Sequence, residues 1–258
     1  MSLRQPSTTG AVTVFEADGP AKSSEAVQPP KLPQQSGTVP SLPEIAPQPA
    51  APVLFLPGWG FSGQVLELAE NPRPWAALAA PLDPATARPE ILAFLAEHHL
   101  DTIQLIGWSM GAFLAFDFAC AFPEKITSLT LLGMRASWPP AKIAALRLAL
   151  ATEPAAFLRD FYRKSLLGYK KEFRRFVSGQ QEELLKSLDR QALDRGLDYL
   201  GYWRLPAQGP QCPVFCWHGR RDLIAPVAER IMIPGACATI IEHGGHALFL
   251  EQELAPGA

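Results

Sequence analysis

Five short apolar runs, each closed by a glycine-bearing turn, set the strongest limit on how this chain folds. They are Val53–Gly60 (VLFLPGWG), Thr102–Ser109 (TIQLIGWS), Ser128–Met134 (SLTLLGM), Pro213–Gly219 (PVFCWHG) and Ala238–Gly245 (ATIIEHGG). Each is too short for a buried helix and is apolar at successive positions, so both faces of the strand must be covered. A parallel sheet packed between helices meets that requirement. Helical patterns lie between the runs at Ala87–Leu100 and at Gly111–Phe122, the second apolar nearly all round and therefore buried. Alternating strands and helices predict an α/β fold with a mostly parallel central sheet flanked by helices.

Between Pro139 and Leu205 the strand signal disappears and the sequence becomes helical, amphipathic and charged. This predicts a helical cap over about 139–205, inserted between the third and fourth runs, within a domain spanning 53–258. Residues 1–52 differ in kind. Nine prolines fall between Gly19 and Pro52 among Ser, Gln and Ala, and proline removes backbone donors and fixes φ. That segment reads as a tail or linker, with one strand allowed near 11–16 (AVTVFE).

Composition narrows the classes. With 48% hydrophobic and 19% charged residues and a net charge of −2, the 258-residue chain is not collagenous, coiled-coil or wholly disordered. The near-neutral balance argues against nucleic-acid binding as its main task. Four cysteines (Cys120, Cys212, Cys216, Cys237) lack zinc-ligand spacing and read as free thiols in a reducing compartment. The first residues lack the layout of a secretory signal, and no apolar run approaches the 18–20 residues that a bilayer span needs. A cytosolic protein without membrane association is the expectation.

The chemistry centres on Gly107-Trp108-Ser109-Met110-Gly111, a G-x-S-x-G at the point where an apolar run meets a buried helix. Such a serine sits on a sharp strand-to-helix turn that leaves no room for side chains at the flanking glycines. The turn lifts the hydroxyl above the sheet and aims the Met110 amide at an oxyanion forming there. A serine needs a base, and the base an orienting carboxylate, in the order Ser, acid, His. Asp222 follows the fourth run and His246 the fifth, both at strand carboxyl ends. His218 and His243 compete as bases. His218 precedes the acid, and His243 precedes the two glycines that open the loop, so His246 is preferred. Asp117, inside the apolar helix, reads as a paired polar group. A second oxyanion donor is expected after the first run, in Pro57–Gly63, where Trp59 offers its backbone amide and its ring a pocket wall.

Together LPGWG, GWSMG, the helical insertion, HGRRD and GGHALF resemble the α/β-hydrolase superfamily from Val53 to about Phe249. Within it the chain is most similar to the pimeloyl-acyl-carrier-protein methyl ester carboxylesterases of biotin synthesis, through the G-W-G, Trp108 and a cap of similar length. The resemblance implies Ser109 as nucleophile, His246 as base, Asp222 as orienting acid, Trp59 and Met110 as oxyanion donors, and no metal or organic cofactor. Three departures stand out: Pro57 where many relatives carry His, PLDPATARP in place of a D-x-x-G-x-G stretch, and only a short final helix after His246.

Residues 141–178 carry nine Lys and Arg against three Asp and Glu, in a chain of net charge −2. Arg159 and Arg163, four apart, share a helix face that would steer an acidic partner. In the esterases resembled, cap arginines contact an acidic acyl carrier protein, and the resemblance carries that role to Arg159 and Arg163. The expected activity is hydrolysis of an acyl methyl ester through an acyl-enzyme. The rivals are a small-ester or lactone hydrolase of the same fold and a non-catalytic binding protein. A haloalkane dehalogenase or epoxide hydrolase would need aspartate where Ser109 stands.

Overall fold

The computed structural model describes residues 51–70, 75–252 and 254. The proline-rich segment before residue 51, with the strand expected near 11–16, lies outside the described residues.

Six strands form one sheet: β1 (Val53–Leu56), β2 (Trp75–Ala77), β3 (Ile103–Trp108), β4 (Ile126–Leu132), β5 (Val214–Gly219) and β6 (Cys237–Ile241). Their order is β2-β1-β3-β4-β5-β6, and every pairing is parallel. Each of the five apolar runs coincides with one strand, β4 and β6 starting two residues and one residue ahead of their runs. The additional strand, β2, is a three-residue edge strand pairing with β1 from Val53 against Trp75. β1, with all four residues buried, and β3, with five of six, show why these runs lack a polar face.

The chain leaves β1 toward one edge to make β2, then returns across it to make β3 on the other side. This reversal opens a crevice at the strand carboxyl ends between β1 and β3, where open parallel sheets place their sites. Helix α1 (Ala87–Glu97) joins β2 to β3 and buries Ala87, Ile91 and Leu95. Helix α2 (Met110–Ala121) follows β3 directly and buries residues around its whole circumference, because it is packed on the sheet beneath other helices.

Five helices fill the interval between β4 and β5: α3 (Pro140–Thr152), α4 (Pro154–Ser165), α5 (Lys170–Gly179), α6 (Gln181–Ser187) and α7 (Arg190–Tyr202). Proline opens α3 and α4, where its missing N–H removes no intrahelical bond. Asp189 caps α7 by accepting from the amides of Gln191 and Ala192. These helices are tied to the sheet rim at several points. The Tyr162 hydroxyl donates to the Gly60 carbonyl at 2.9 Å, and the Trp59 indole to the Leu193 carbonyl at 2.9 Å. Asp117 of α2 accepts from Tyr199 at 2.7 Å and Trp203 at 2.8 Å, so this buried-helix carboxylate is a paired group.

All four cysteines are free; Cys216 is buried, Cys237 exposed and the other two half-buried. After His246 the described residues hold only a 3-10 turn at Leu248–Leu250 in place of the expected short helix. Among the described residues no helix is long and apolar enough to cross a membrane.

Candidate active site

Ser109 occupies the turn between β3 and α2 with φ of +56°, a conformation L-residues seldom adopt. Both flanking glycines are enforced by contact. A methyl group on Gly107 would lie 2.4 Å from the Gly111 carbonyl oxygen, and one on Gly111 would lie 2.2 Å from the carbonyl oxygen of Leu56. The second contact is the reason α2 can start directly over the end of β1. As the first residue of α2, Met110 has an amide with no carbonyl one turn back to receive it.

The β1 loop folds over the serine. A methyl on Gly58 would stand 3.1 Å from Ser109 Cβ, so the backbone around Gly58 and Trp59 lines one side of the turn. The Trp59 ring, 4% exposed, points into the helical insertion and packs edge-on against Phe161, with centroids 5.2 Å apart. It also lies against α7 at Gly196, where a methyl would approach Trp59 Cδ1 to 2.5 Å. Ring and backbone of Trp59 therefore serve different neighbours: the ring seats the cap, the backbone borders Ser109.

Asp222 and His246 meet. His246 Nδ1 lies 2.7 Å from Asp222 Oδ2, with both side chains essentially inaccessible to solvent. The other carboxylate oxygen accepts from the amides of Ile224 at 2.7 Å and Ala225 at 2.8 Å, which holds the carboxylate plane. With Nδ1 turned to the carboxylate, Nε2 occupies the opposite edge of the ring, buried and without a hydrogen-bond partner among the described residues. The arrangement leaves one ring nitrogen free and facing away from its anchor.

One side chain connects this pair to the serine strand. Trp108, immediately before Ser109, donates from Nε1 to the His246 carbonyl at 2.7 Å, and the Trp108 and His246 rings lie 5.4 Å apart. Thus the elements bearing Ser109, Asp222 and His246 converge on one rim, with Trp59 and Met110 beside the serine.

The competing histidines separate by environment. His218, in β5, is 1% exposed, both ring nitrogens lack a partner among the described residues, and burial pushes its pKa down to about 4. His243 lies 3.1 Å from Glu251. Neither of the two contacts Asp222 by hydrogen bond. Arg159 and Arg163 are exposed on α4 and each meets a cap carboxylate: Arg159 binds Glu182 through three contacts of 2.9, 3.0 and 3.2 Å, and Arg163 binds Asp160 at 2.6 Å.

Sequence reasoning overlooked Arg135. It follows β4, is 1% exposed, pairs with Glu229, and donates to the carbonyls of Ile224 at 3.1 Å and Ser137 at 3.3 Å. Ile224 belongs to the turn that grips Asp222, so this guanidinium braces the acid from behind. Burial lowers its pKa while the nearby Asp222 charge opposes that shift. An arginine in a loop with no motif around it gives no sign of such a role.

Comparison with known proteins agrees with this architecture. A pimeloyl-acyl-carrier-protein methyl ester esterase of Aromatoleum aromaticum is 30% identical over 58% of this chain and 69% of its own length. The protein of the same name from Chromobacterium violaceum is 28% identical over 78% of this chain and 89% of its own. Among solved structures, the N-acyl homoserine lactone degrading enzyme Est816 superposes with a TM-score of 0.62 at 16% identity, covering 79% of this chain and 89% of its own. The enol-lactonase of Burkholderia xenovorans superposes with 0.61 at 17% identity, covering 76% and 84%. The family model described as the alpha/beta hydrolase family matches residues 53–256. The chain belongs to the alpha/beta hydrolase family.

Proposed function

We propose that the protein is a serine carboxylesterase acting on an acyl methyl ester, and that its substrate is a pimeloyl methyl ester held on an acyl carrier protein. The observation that carries the reaction type is the buried His246–Asp222 pair at 2.7 Å with His246 Nε2 left unpartnered, beside a serine held at positive φ.

In this reading Ser109 Oγ attacks the ester carbonyl carbon as His246 Nε2 takes its proton. Asp222 holds the ring and offsets the imidazolium charge. The carbonyl oxygen gains a negative charge that the Trp59 and Met110 amides receive. The C–O bond to the methoxy group then breaks, and His246 returns the proton so that methanol leaves. Water attacks the acyl-enzyme with His246 again as base, releasing the free carboxylic acid and restoring Ser109. The two relatives named for a pimeloyl carrier ester support the choice of substrate.

A small-ester or lactone hydrolase is the second reading, favoured by the pairing of Arg159 and Arg163 with cap carboxylates. Three experiments decide. A fluorophosphonate should label the protein and fail on Ser109→Ala; an unlabelled, folded wild type would point to a non-catalytic binding protein. Turnover of the carrier-bound pimeloyl methyl ester should fall steeply with salt, and several-fold on replacing Arg159 and Arg163 with alanine, while a nitrophenyl ester is spared. Equal responses of the two substrates would remove the carrier, and failure to rescue a biotin auxotroph lacking its esterase would remove the substrate.

A further inference from the structure

The segment carrying His246 is gripped from the helical insertion by one phenol. Tyr169 stands at the start of α5, directly after the turn that ends α4. Its oxygen accepts the Gly245 N–H at 3.1 Å, and its O–H donates to Glu251 Oε1 at 2.6 Å. Gly245 is the residue before His246, and Glu251, itself 8% exposed, lies just beyond the 3-10 turn that follows it. A single hydroxyl therefore spans both sides of the His246 loop.

A second contact presses on the same point. A methyl on Gly245 would stand 2.5 Å from the Leu167 carbonyl oxygen and 3.1 Å from Tyr169 Cε2, so the α4–α5 turn sits directly on the loop. From the opposite side Trp108 fixes the His246 carbonyl. The imidazole thus hangs between a strand contact that the sheet holds rigid and a cap contact made by the Tyr169 hydroxyl and the Leu167 turn. Burial and the Glu251 carboxylate drive the Tyr169 pKa far up, so the phenol stays a donor throughout any working pH range.

We infer that Tyr169 is a positioning residue for the base: by bridging Gly245 and Glu251 it latches the cap turn to the loop and sets the direction of His246 Nε2. The inference rests on the serine-hydrolase reading above. It differs from general cap fastening, which Tyr199 also performs through its 2.7 Å bond to Asp117 on α2. The two tyrosines therefore separate positioning from fastening.

The test compares Tyr169→Phe, Tyr199→Phe and wild type by the rate of fluorophosphonate labelling and by kcat and KM on nitrophenyl acetate, an acyl group too short to need the cap. Removing the Tyr169 hydroxyl should slow labelling and lower kcat about tenfold, in line with the cost of a sub-ångström error in a reacting group. KM should stay within about twofold, and Tyr199→Phe should label like wild type. Gly245→Ala, whose methyl displaces the Leu167 carbonyl and presses on the Tyr169 ring while the hydroxyl is kept, should show the same kcat loss and guards against a Tyr169 variant that folds poorly. Equal labelling rates for wild type and the two Tyr169 and Gly245 variants would overturn the inference, as would an equal loss in Tyr199→Phe. A wild type that neither labels nor turns over would instead sink the serine reading, and this inference with it.

Discussion

His218 should make the fold sensitive to acid. Both of its nitrogens are buried without partners among the described residues, and its pKa is down to about 4, first through burial, then through Arg230 and His246, with Asp222 opposing. The unfolded chain, with an ordinary histidine pKa of about 6.5, binds the proton more readily than the native state. Stability is therefore fully present above pH 6.5, declines as pH falls, and reaches its floor below the folded pKa. Linkage over that gap gives a loss of about 2 kcal/mol between pH 7 and pH 5, approaching about 3 kcal/mol below pH 4. The clean perturbation is His218→Phe, which keeps an aromatic ring and removes the titration. Urea unfolding of both proteins at pH 7 and pH 5 isolates the contribution, because every other group titrates alike in the two. At a typical urea m-value, the difference between their midpoints should change by about 1 M across that range in favour of the phenylalanine protein. Midpoints that fall in parallel would refute the reasoning and imply that the His218 cavity admits water or a partner.

Asp222→Asn should keep the fold, since an amide oxygen can still accept from Ile224 and Ala225, yet lower kcat about 10³ to 10⁴-fold on a nitrophenyl ester with KM little changed; a loss below tenfold in steady-state kinetics would exclude Asp222 as the orienting acid. Gly111→Ala should destabilise by more than about 3 kcal/mol or prevent folding, because its methyl would overlap the Leu56 carbonyl at 2.2 Å; an unchanged melting curve would show that the β1–α2 contact yields. Arg135→Met should cost about 1–3 kcal/mol in chemical denaturation by taking this donor from the Ile224 and Ser137 carbonyls, while half-exposed Glu229 turns to water, and a neutral result would mean that the Asp222 turn holds itself.

What was legible in the sequence is what local patterns encode. The strands revealed themselves because strands buried on both faces leave uninterrupted apolar runs, and the serine turn because its glycines answer to steric contacts a few residues away. Chain order at strand ends singled out Asp222 and His246, and the structure brings these two side chains into contact at 2.7 Å. β2 was missed because a three-residue edge strand, Trp75–Ala77, is too short for any periodicity. Arg135 and Tyr169 were invisible for another reason: their roles lie in partners 89 and 76 residues away. No spacing rule connects such pairs, and only the packing of cap and loops brings them into register.

The cap arginines show the same boundary in energetic form. Their i,i+4 spacing correctly places Arg159 and Arg163 on one exposed face, but the sequence does not reveal that Glu182 of α6 closes on Arg159. Arg147 with Asp198, Lys164 with Asp160 and Lys171 with Glu70 follow the same pattern. These pairs are solvent-exposed and screened, so each adds little and opens readily. Lys170 and Arg174 have no carboxylate partner among the described residues and are exposed beside the turn that rests on Gly245. A polyanionic surface can therefore displace Glu182 and Asp160 at small cost while meeting cations that are already unpaired. Pairing within the cap lowers the affinity of such a partner without abolishing its attraction, and that attraction reaches only about a Debye length, some 10 Å at 0.1 M salt. A carrier held this way must lose turnover steeply between low and moderate ionic strength, whereas an ester that enters through the crevice alone has no charge to lose.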